Sequence, residues 1–121
     1  MLIYTDGSSL YKPIYGALTS GFTSDNVTNA TFTYKKVGKV IQFVFTGTTK
    51  ISFTANIAKQ LWNRDILPKP YKTIYFAGAD DVTGYISGTT GSLGCVPRST
   101  ISANTDLYLC GVYLVNESSD N

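Results

Sequence analysis

The chain has 121 residues, of which 43% are hydrophobic and 15% are charged. This length fits a single domain, and a core without disulfide or metal staples is feasible at this size. A net charge of +2 is too small to indicate nucleic-acid binding. No apolar run approaches the roughly 18 residues that a membrane span requires. The start of the chain lacks the basic and apolar regions of a signal peptide.

The N-terminal part of the chain is predicted to be extended and rich in turns. We interpret residues 1–13 as an edge strand or as the stub of a linker from a larger polypeptide. A short strand is expected over residues 14–18. The polar residues 19–29 read as a loop with one apolar anchor, Phe22.

The best-specified element is a hairpin over residues 31–45. Its first half alternates polar and aromatic side chains, and its second half is β-branched or aromatic at nearly every position. Gly38, between the halves, can adopt the positive φ that a tight turn requires. The side chains expected to face the core are Ile41, Phe43 and Phe45. The opposite face carries Val40, Gln42 and Val44. This second face is apolar enough to contact another chain.

The middle of the chain is predicted to contain a helical turn and a rigid connector. Residues 56–62 are compatible with a helical turn, because Asn56 can cap it and Ile57 and Leu61 share a face at i and i+4. Residues 67–70, Leu-Pro-Lys-Pro, form an extended connector, because each proline also restricts the residue before it.

Four more strands are predicted in the C-terminal half. Three are short, over residues 71–77, 82–87 and 92–96. The last, over residues 107–115, is apolar on both faces. It therefore lies at the centre of a sandwich or contacts a neighbouring subunit. A polar tail over residues 116–121 is expected to fray.

These elements predict an all-β fold. About eight short strands, separated by turn signals every ~8–12 residues, indicate an antiparallel β-sandwich or jelly-roll-like domain. We expect residues 1–121 to form this one domain, with one short helical turn. Cys95 and Cys110 each lie in a predicted strand and fit either one disulfide or two free thiols. We favour free thiols.

The sequence offers few residues for catalysis. It contains no histidine, which removes the commonest general base and metal ligand. Neither cysteine lies in a recognisable nucleophile motif, and no glycine-rich phosphate loop is present. We therefore predict a protein that is not an enzyme and that uses no cofactor or metal.

An aromatic side chain with polar neighbours is the first type of candidate binding residue. Trp62 stands beside Arg64, and an exposed indole next to hydrogen-bonding groups would suit a sugar ring. The alternative places Trp62 in the core. Tyr85 is either a second platform or a cross-strand partner in a sheet.

Charged residues supply the second type of candidate. Asp80 and Asp81 are the only adjacent carboxylates, and they are read either as a weak ligand site or as a polar turn between strands. Arg98 precedes a loop rich in serine and threonine, where its guanidinium could hold an anionic glycan or phosphate. The alternative for Arg98 is a solvated surface arginine.

Five short motifs, in this order, carry a resemblance to a known family. They are Tyr-Lys-Lys-Val-Gly-Lys-Val-Ile at residues 34–41, Leu-Pro-x-Pro-Tyr at 67–71, Gly-Tyr-Ile at 84–86, Gly-Ser-Leu at 91–93 and Asp-Leu-Tyr-Leu-x-Gly-Val-Tyr at 106–113. Over residues 31–115 the chain resembles the C-terminal receptor-binding (head) domains of tail-appendage and baseplate proteins from phages of Gram-positive bacteria. It departs from them at Lys69-Pro70, where the family has glycine, and at Lys72-Thr73, where it has Arg-Pro.

The resemblance implies a β-sandwich head domain, usually trimeric, that adheres to host cell-wall saccharide or teichoic acid. It also implies contacts with other virion proteins and a place in the virion tail after assembly in the host cytoplasm. The weak saccharide contacts of the individual copies would combine into strong binding, because the assembly raises the effective concentration of binding sites. The alternative function is a structural virion module, a baseplate scaffold or capsid decoration protein, that binds only other virion proteins. A third possibility is a secreted carbohydrate-binding module of a bacterial enzyme. This would require a signal peptide or linker, and we see neither in the sequence. We expect neither nucleic-acid binding nor membrane insertion.

Overall fold

The computed structural model describes residues 12–79 and 81–116, which form eight strands in two antiparallel sheets. The strands are β1 (Ile14–Leu18), β2 (Val27–Val37), β3 (Val40–Thr49), β4 (Lys59–Trp62), β5 (Ile74–Ala77), β6 (Val82–Ile86), β7 (Leu93–Pro97) and β8 (Asp106–Leu114). The first sheet has the order β1-β2-β3-β8 and the second has the order β4-β7-β6-β5. No helix occurs in the described residues. The predicted all-β sandwich is confirmed, and its jelly-roll variant stays a prediction.

Strands β2 and β3 form the predicted hairpin. Val37 pairs with Val40, so Gly38 and Lys39 are the two residues of the turn. Gly38 has a φ of 60°, whereas Lys39 has no positive φ. A positive φ at the first turn residue alone is the signature of a type II′ turn, whose twist matches that of the paired strands. The alternation predicted for β3 is also confirmed, because Ile41, Phe43 and Phe45 are buried.

The core is held by aromatic rings from both sheets. Phe43 of the first sheet meets Phe76 of the second edge-on, with ring centroids 5.1 Å apart. Trp62 of the second sheet lies against Phe32 and Phe45, at centroid distances of 5.9 and 6.2 Å. Tilted and edge-on pairs of this kind are favoured by the ring quadrupoles. These contacts join the two inner faces into one core.

The predicted helical turn over residues 56–62 is wrong. Asn56 has a φ of 64°, which is not a helical conformation. The chain then enters β4, which pairs with β7. A bulge between Gln60 and Trp62 breaks the alternation, so that Leu61 and Trp62 are adjacent and both fully buried. A single helical turn has little stability of its own, and pairing with β7 overrides it.

The last strand lies at the end of the first sheet and not at its centre. Strand β8 pairs with β3 along its whole length. On its other side, the described residues give it only isolated bridges, from Leu109 to Gly78 and from Val115 to Pro70. Of the two positions predicted for this strand, the central one is therefore wrong.

The two cysteines are free thiols, as predicted. Cys95 lies inside the sandwich, and burial raises its pKa to about 12. Cys110 lies on the outer face of the first sheet and is exposed. Because one thiol is inside and the other is outside, their side chains cannot reach the short Cβ distance of a disulfide.

Both ends of the chain lie largely beyond the described residues. The predicted edge strand or linker stub over residues 1–13 is described only at its last two positions, and the predicted tail only at Asn116. In the part of the chain that is described, no helix is long and apolar enough to cross a membrane.

Candidate functional site

The outer face of the first sheet presents side chains that the core does not use. Side chains alternate along a strand, so the register of β3 and β8 sets outward residues side by side. The pairs are Val40 with Leu114, Gln42 with Val112, Val44 with Cys110, Thr46 with Tyr108, and Thr48 with Asp106. The face is therefore mainly apolar near the β2–β3 turn and polar at its other end.

The apolar half is a continuous set of side chains, which we call the apolar strip. It consists of Val40, Val44, Cys110, Val112 and Leu114. Val112 is 60% exposed and Leu114 is 56% exposed. Isolated apolar side chains on a surface need no explanation, but a contiguous group rimmed by polar residues often marks a contact with another molecule.

The polar half contains a shallow depression of about 360 Å³, which we call the Asp106 depression. It is formed by Asn29 of β2, residues 46–48 of β3 and residues 106–108 of β8. Three strands thus contribute to it. Its volume lies at the lower end of the range for small-molecule sites.

A β-bulge in β2 helps to shape the depression. The register of β2 and β3 shifts between Thr28 and Thr31, and Asn29 within this shift has a φ of 53°. Asparagine tolerates this left-handed conformation better than most residues. Ala30 turns inward and is buried, while Asn29 is exposed at the surface. The bulge therefore places the amide side chain of Asn29 at the edge of the depression.

The side chains of the depression offer several groups to a ligand. The Thr48 hydroxyl donates a hydrogen bond to Oδ1 of Asp106, with an oxygen–oxygen distance of 3.0 Å. Among the described residues, the other carboxylate oxygen, the Asn29 amide and the Tyr108 hydroxyl have no hydrogen-bond partner. The Tyr108 side chain is 50% exposed. The depression thus combines an aromatic ring with acceptors and donors, which suits a polyhydroxylated ligand.

Trp62, the first predicted binding residue, is fully buried. Its ring meets Phe22 at a centroid distance of 6.2 Å, in addition to its contacts with Phe32 and Phe45. The alternative that placed it in the core is therefore confirmed, and the exposed sugar platform at this position is wrong. No described residue offers a hydrogen-bond partner to the indole Nε1. The burial of the ring thus depends on packing alone.

Arg64 lies in the loop that follows β4 and is engaged with a carboxylate. Its Nε is 3.3 Å from Asp65, and Lys69 lies 3.2 Å from the same side chain. A hydrogen bond from Lys69 is the largest cause of the lowered pKa of Asp65, which is exposed. An exposed network of this kind contributes little to stability.

Asp81 and Arg98 are brought together at the opposite end of the second sheet. The guanidinium lies 3.6 Å from the carboxylate, and the backbone N–H of Arg98 donates to the Asp81 carbonyl at 3.1 Å. Asp80 lies outside the described residues. No group of three potential metal-ligating side chains occurs among the residues that are described. Asp81 therefore lies in the polar turn between β5 and β6, and Arg98, directly after β7, lies beside it.

Tyr85 projects from the outer face of the second sheet. It pairs across strands with Tyr75, and the two ring centroids are 6.5 Å apart. Its ring lies over Gly94, where an added Cβ would come within 2.2 Å of the phenol oxygen. Burial raises its pKa above the usual value. The cross-strand alternative is confirmed for this residue.

The predicted residues therefore do not meet in one site. Trp62 is inside the sandwich, Arg64 and Arg98 are at opposite ends of the second sheet, and Tyr85 is between them. The residues of the Asp106 depression were not among the predictions. One sequence signal points to part of it, because Asp106 and Tyr108 are two positions apart in a strand and share a face.

Comparisons with known proteins identify no relative of this chain, because no protein-family model and no curated protein matches it.

Proposed function

We propose that the chain is a non-enzymatic receptor-binding domain of a phage tail or baseplate, and that it holds host cell-surface saccharide in the Asp106 depression. The observation that carries the proposal is the arrangement of an exposed tyrosine, a carboxylate and an amide around one concave surface. The Tyr108 ring would stack on the C–H face of a pyranose. Asp106 would accept hydrogen bonds from its hydroxyls, and Asn29 would accept or donate them.

The depression is too shallow to enclose a ligand, so each contact would be weak. A tail or baseplate that carries many copies would convert weak contacts into firm adhesion through effective concentration. No catalytic group is required for this mechanism. The ligand would be host cell-wall saccharide or teichoic acid, and the chain would act in the virion after assembly in the host cytoplasm.

The apolar strip supplies the surface for contact between copies. Its five side chains are uncharged and contiguous across β3 and β8, and they lie next to the Asp106 depression on the same face. Association through the strip, most simply into a trimer, would place each depression at the rim of a subunit boundary. Burying apolar area is the main driving force for such association.

Replacing Tyr108 with alanine is expected to weaken saccharide binding about fivefold, because an aromatic contact contributes about 1 kcal/mol. Tyr75→Ala is the matched control, since Tyr75 is 71% exposed on the other sheet. Binding would be measured on an array of bacterial cell-wall glycans and then by titration. Equal affinities for the two variants would count against the depression as the site.

Replacing Val112 with glutamate is expected to dissociate the oligomer, because a charge would be buried in the apolar strip. Light scattering should give about three times 13.1 kDa for the parent chain and a single chain for the variant. The control is Thr83→Glu, at an exposed position of the second sheet. A monomeric parent chain would remove the proposed contact.

The alternative function, a structural virion module that binds only virion proteins, is also compatible with the apolar strip. The two functions differ in the depression. A scaffold would associate through the strip and bind no glycan, and Tyr108→Ala would then leave assembly unchanged.

A further inference from the structure

We propose that the Asp106 depression selects saccharides without negative charge, favours those that carry an ammonium group, and rejects phosphate-bearing polymers. This inference rests on the proposed function, because it assumes that the depression binds a saccharide. It decides between the two ligand classes that the function leaves open, neutral or amino-substituted cell-wall glycan on one side and teichoic acid phosphate on the other.

The charge on the lining is the first argument. Of the described residues that form the depression, Asp106 is the only one with a charged side chain. No lysine or arginine lines the surface, so nothing there would offset the charge of a phosphate.

The nearby bases do not line the depression. Lys50 follows β3, and its Nζ is directed to the carbonyl oxygen of Ser24 at 3.2 Å. Lys35 is outward on β2 but sits opposite Gln42, six residues along β3 from Thr48. At about 3.3 Å per residue this separation is roughly 20 Å, which exceeds the Debye length at physiological salt.

Hydrogen-bond capacity gives the second argument. An ionised carboxylate accepts hydrogen bonds and cannot donate one. The Thr48 hydroxyl already donates to Oδ1 of Asp106, which fixes the carboxylate and leaves its other oxygen for the ligand. A sugar hydroxyl or an ammonium group can donate to that oxygen. A phosphodiester has only acceptors and would place two negative groups against each other.

The third argument is the position of the Tyr108 ring relative to the carboxylate. Asp106 and Tyr108 are two positions apart on one strand face, which separates their Cα atoms by roughly 6.6 Å. A pyranose stacked on the ring would therefore extend its substituents toward Asp106. An ammonium substituent there would gain an ionic contact with the carboxylate, and it would lie near the electron-rich face of the ring.

The test compares three immobilised probes with different charge. They are chito-oligosaccharide (neutral), its deacetylated form (ammonium) and poly(glycerol phosphate). The parent chain is expected to bind the deacetylated probe best and the phosphate polymer at least tenfold more weakly than the neutral probe. Asp106→Asn, which is similar in shape but uncharged, should abolish the preference for the ammonium probe over the neutral probe.

Two further variants test whether the charge in the depression causes the order of binding. Asp81→Asn removes a carboxylate from the second sheet and should leave the order of the three probes unchanged. Thr46→Lys places a base in the depression and should raise binding of the phosphate polymer about tenfold at low salt. Circular dichroism of each variant checks that it folds.

The possible results distinguish a failure of the proposed charge selectivity from a failure of the proposed saccharide binding. If the parent chain binds the phosphate polymer as well as the neutral probe, or if Asp106→Asn leaves the order unchanged, the inference is overturned while saccharide binding stands. If the parent chain binds none of the three probes, the proposed function fails and the inference fails with it. The expected charge order, lost in Asp106→Asn and kept in Asp81→Asn, supports both.

Discussion

Replacing Trp62 with alanine is expected to lower the free energy of unfolding by about 3–5 kcal/mol, which is the usual cost of truncating a fully buried aromatic ring. The side chain is 0% exposed and contacts three phenylalanine rings. Removing it would leave a cavity between the two sheets. Urea unfolding followed by far-UV circular dichroism would measure the change.

Trp62→Phe is the matched variant for this prediction. Within the described part of the chain the indole Nε1 has no hydrogen-bond partner, so the smaller ring loses volume but no polar contact. Its expected cost is about 2 kcal/mol or less. Since Trp62 is buried away from the Asp106 depression, Trp62→Phe should also keep the glycan affinity of the parent chain. An alanine variant within 1 kcal/mol of the parent would place the indole outside the core, against the structure.

The hairpin was predictable because its information is local. The alternation of β2 and β3, together with one glycine at the turn, determines both which side chains face inward and how the strands pair. Gly38 has the positive φ that the sequence predicted for it. The same alternation revealed the apolar outer positions at Val40 and Val44.

The segment around Trp62 was not predictable for the opposite reason. The spacing of Ile57 and Leu61 fits a helical turn, and nothing nearby in sequence contradicts it. Its structure is decided by pairing with β7, more than thirty residues away, and by a bulge that buries two adjacent residues. Both are tertiary effects, which override weak local preferences.

The Asp106 depression depends on register between distant strands. Asn29, Thr48 and Asp106 come from three strands and meet only because β3 lies between β2 and β8. A one-residue slip in any pairing would send the side chains of that strand to the other face. The period-2 pattern shows that Asp106 and Tyr108 share a face. It does not show which neighbours they meet there.

Replacing Gly91 with alanine is expected to destabilise the domain by about 3 kcal/mol, and the same change at Gly38 by about 1 kcal/mol. Both glycines have a positive φ, 72° at Gly91 and 60° at Gly38, so both variants bear the strain of a left-handed alanine. The two positions differ in the room that they leave for an added Cβ. A Cβ at Gly91 would lie 2.7 Å from the Leu67 carbonyl oxygen, whereas a Cβ at Gly38 would have no atom of the described residues within 4 Å. Urea unfolding of the two variants would separate the effect of the clash from that of the left-handed strain. Equal losses of unfolding free energy would contradict the predicted clash.

The contact behind this prediction gives a physical reason for two of the motifs noted in the sequence. Gly91 opens Gly-Ser-Leu, and Leu67 opens the Leu-Pro-Lys-Pro connector; the glycine is required because the connector runs directly over it. The connector is in turn tied to β8. The Tyr113 hydroxyl donates to the Pro68 carbonyl at 2.9 Å, and the backbone N–H of Asn116 donates to the Lys69 carbonyl at 2.8 Å. These contacts hold the end of β8 that lies beside the β2–β3 turn, opposite the end that carries Asp106 and Tyr108. Gly91→Ala should therefore lower stability while the folded variant keeps the saccharide affinity of the parent chain, as Gly38→Ala should.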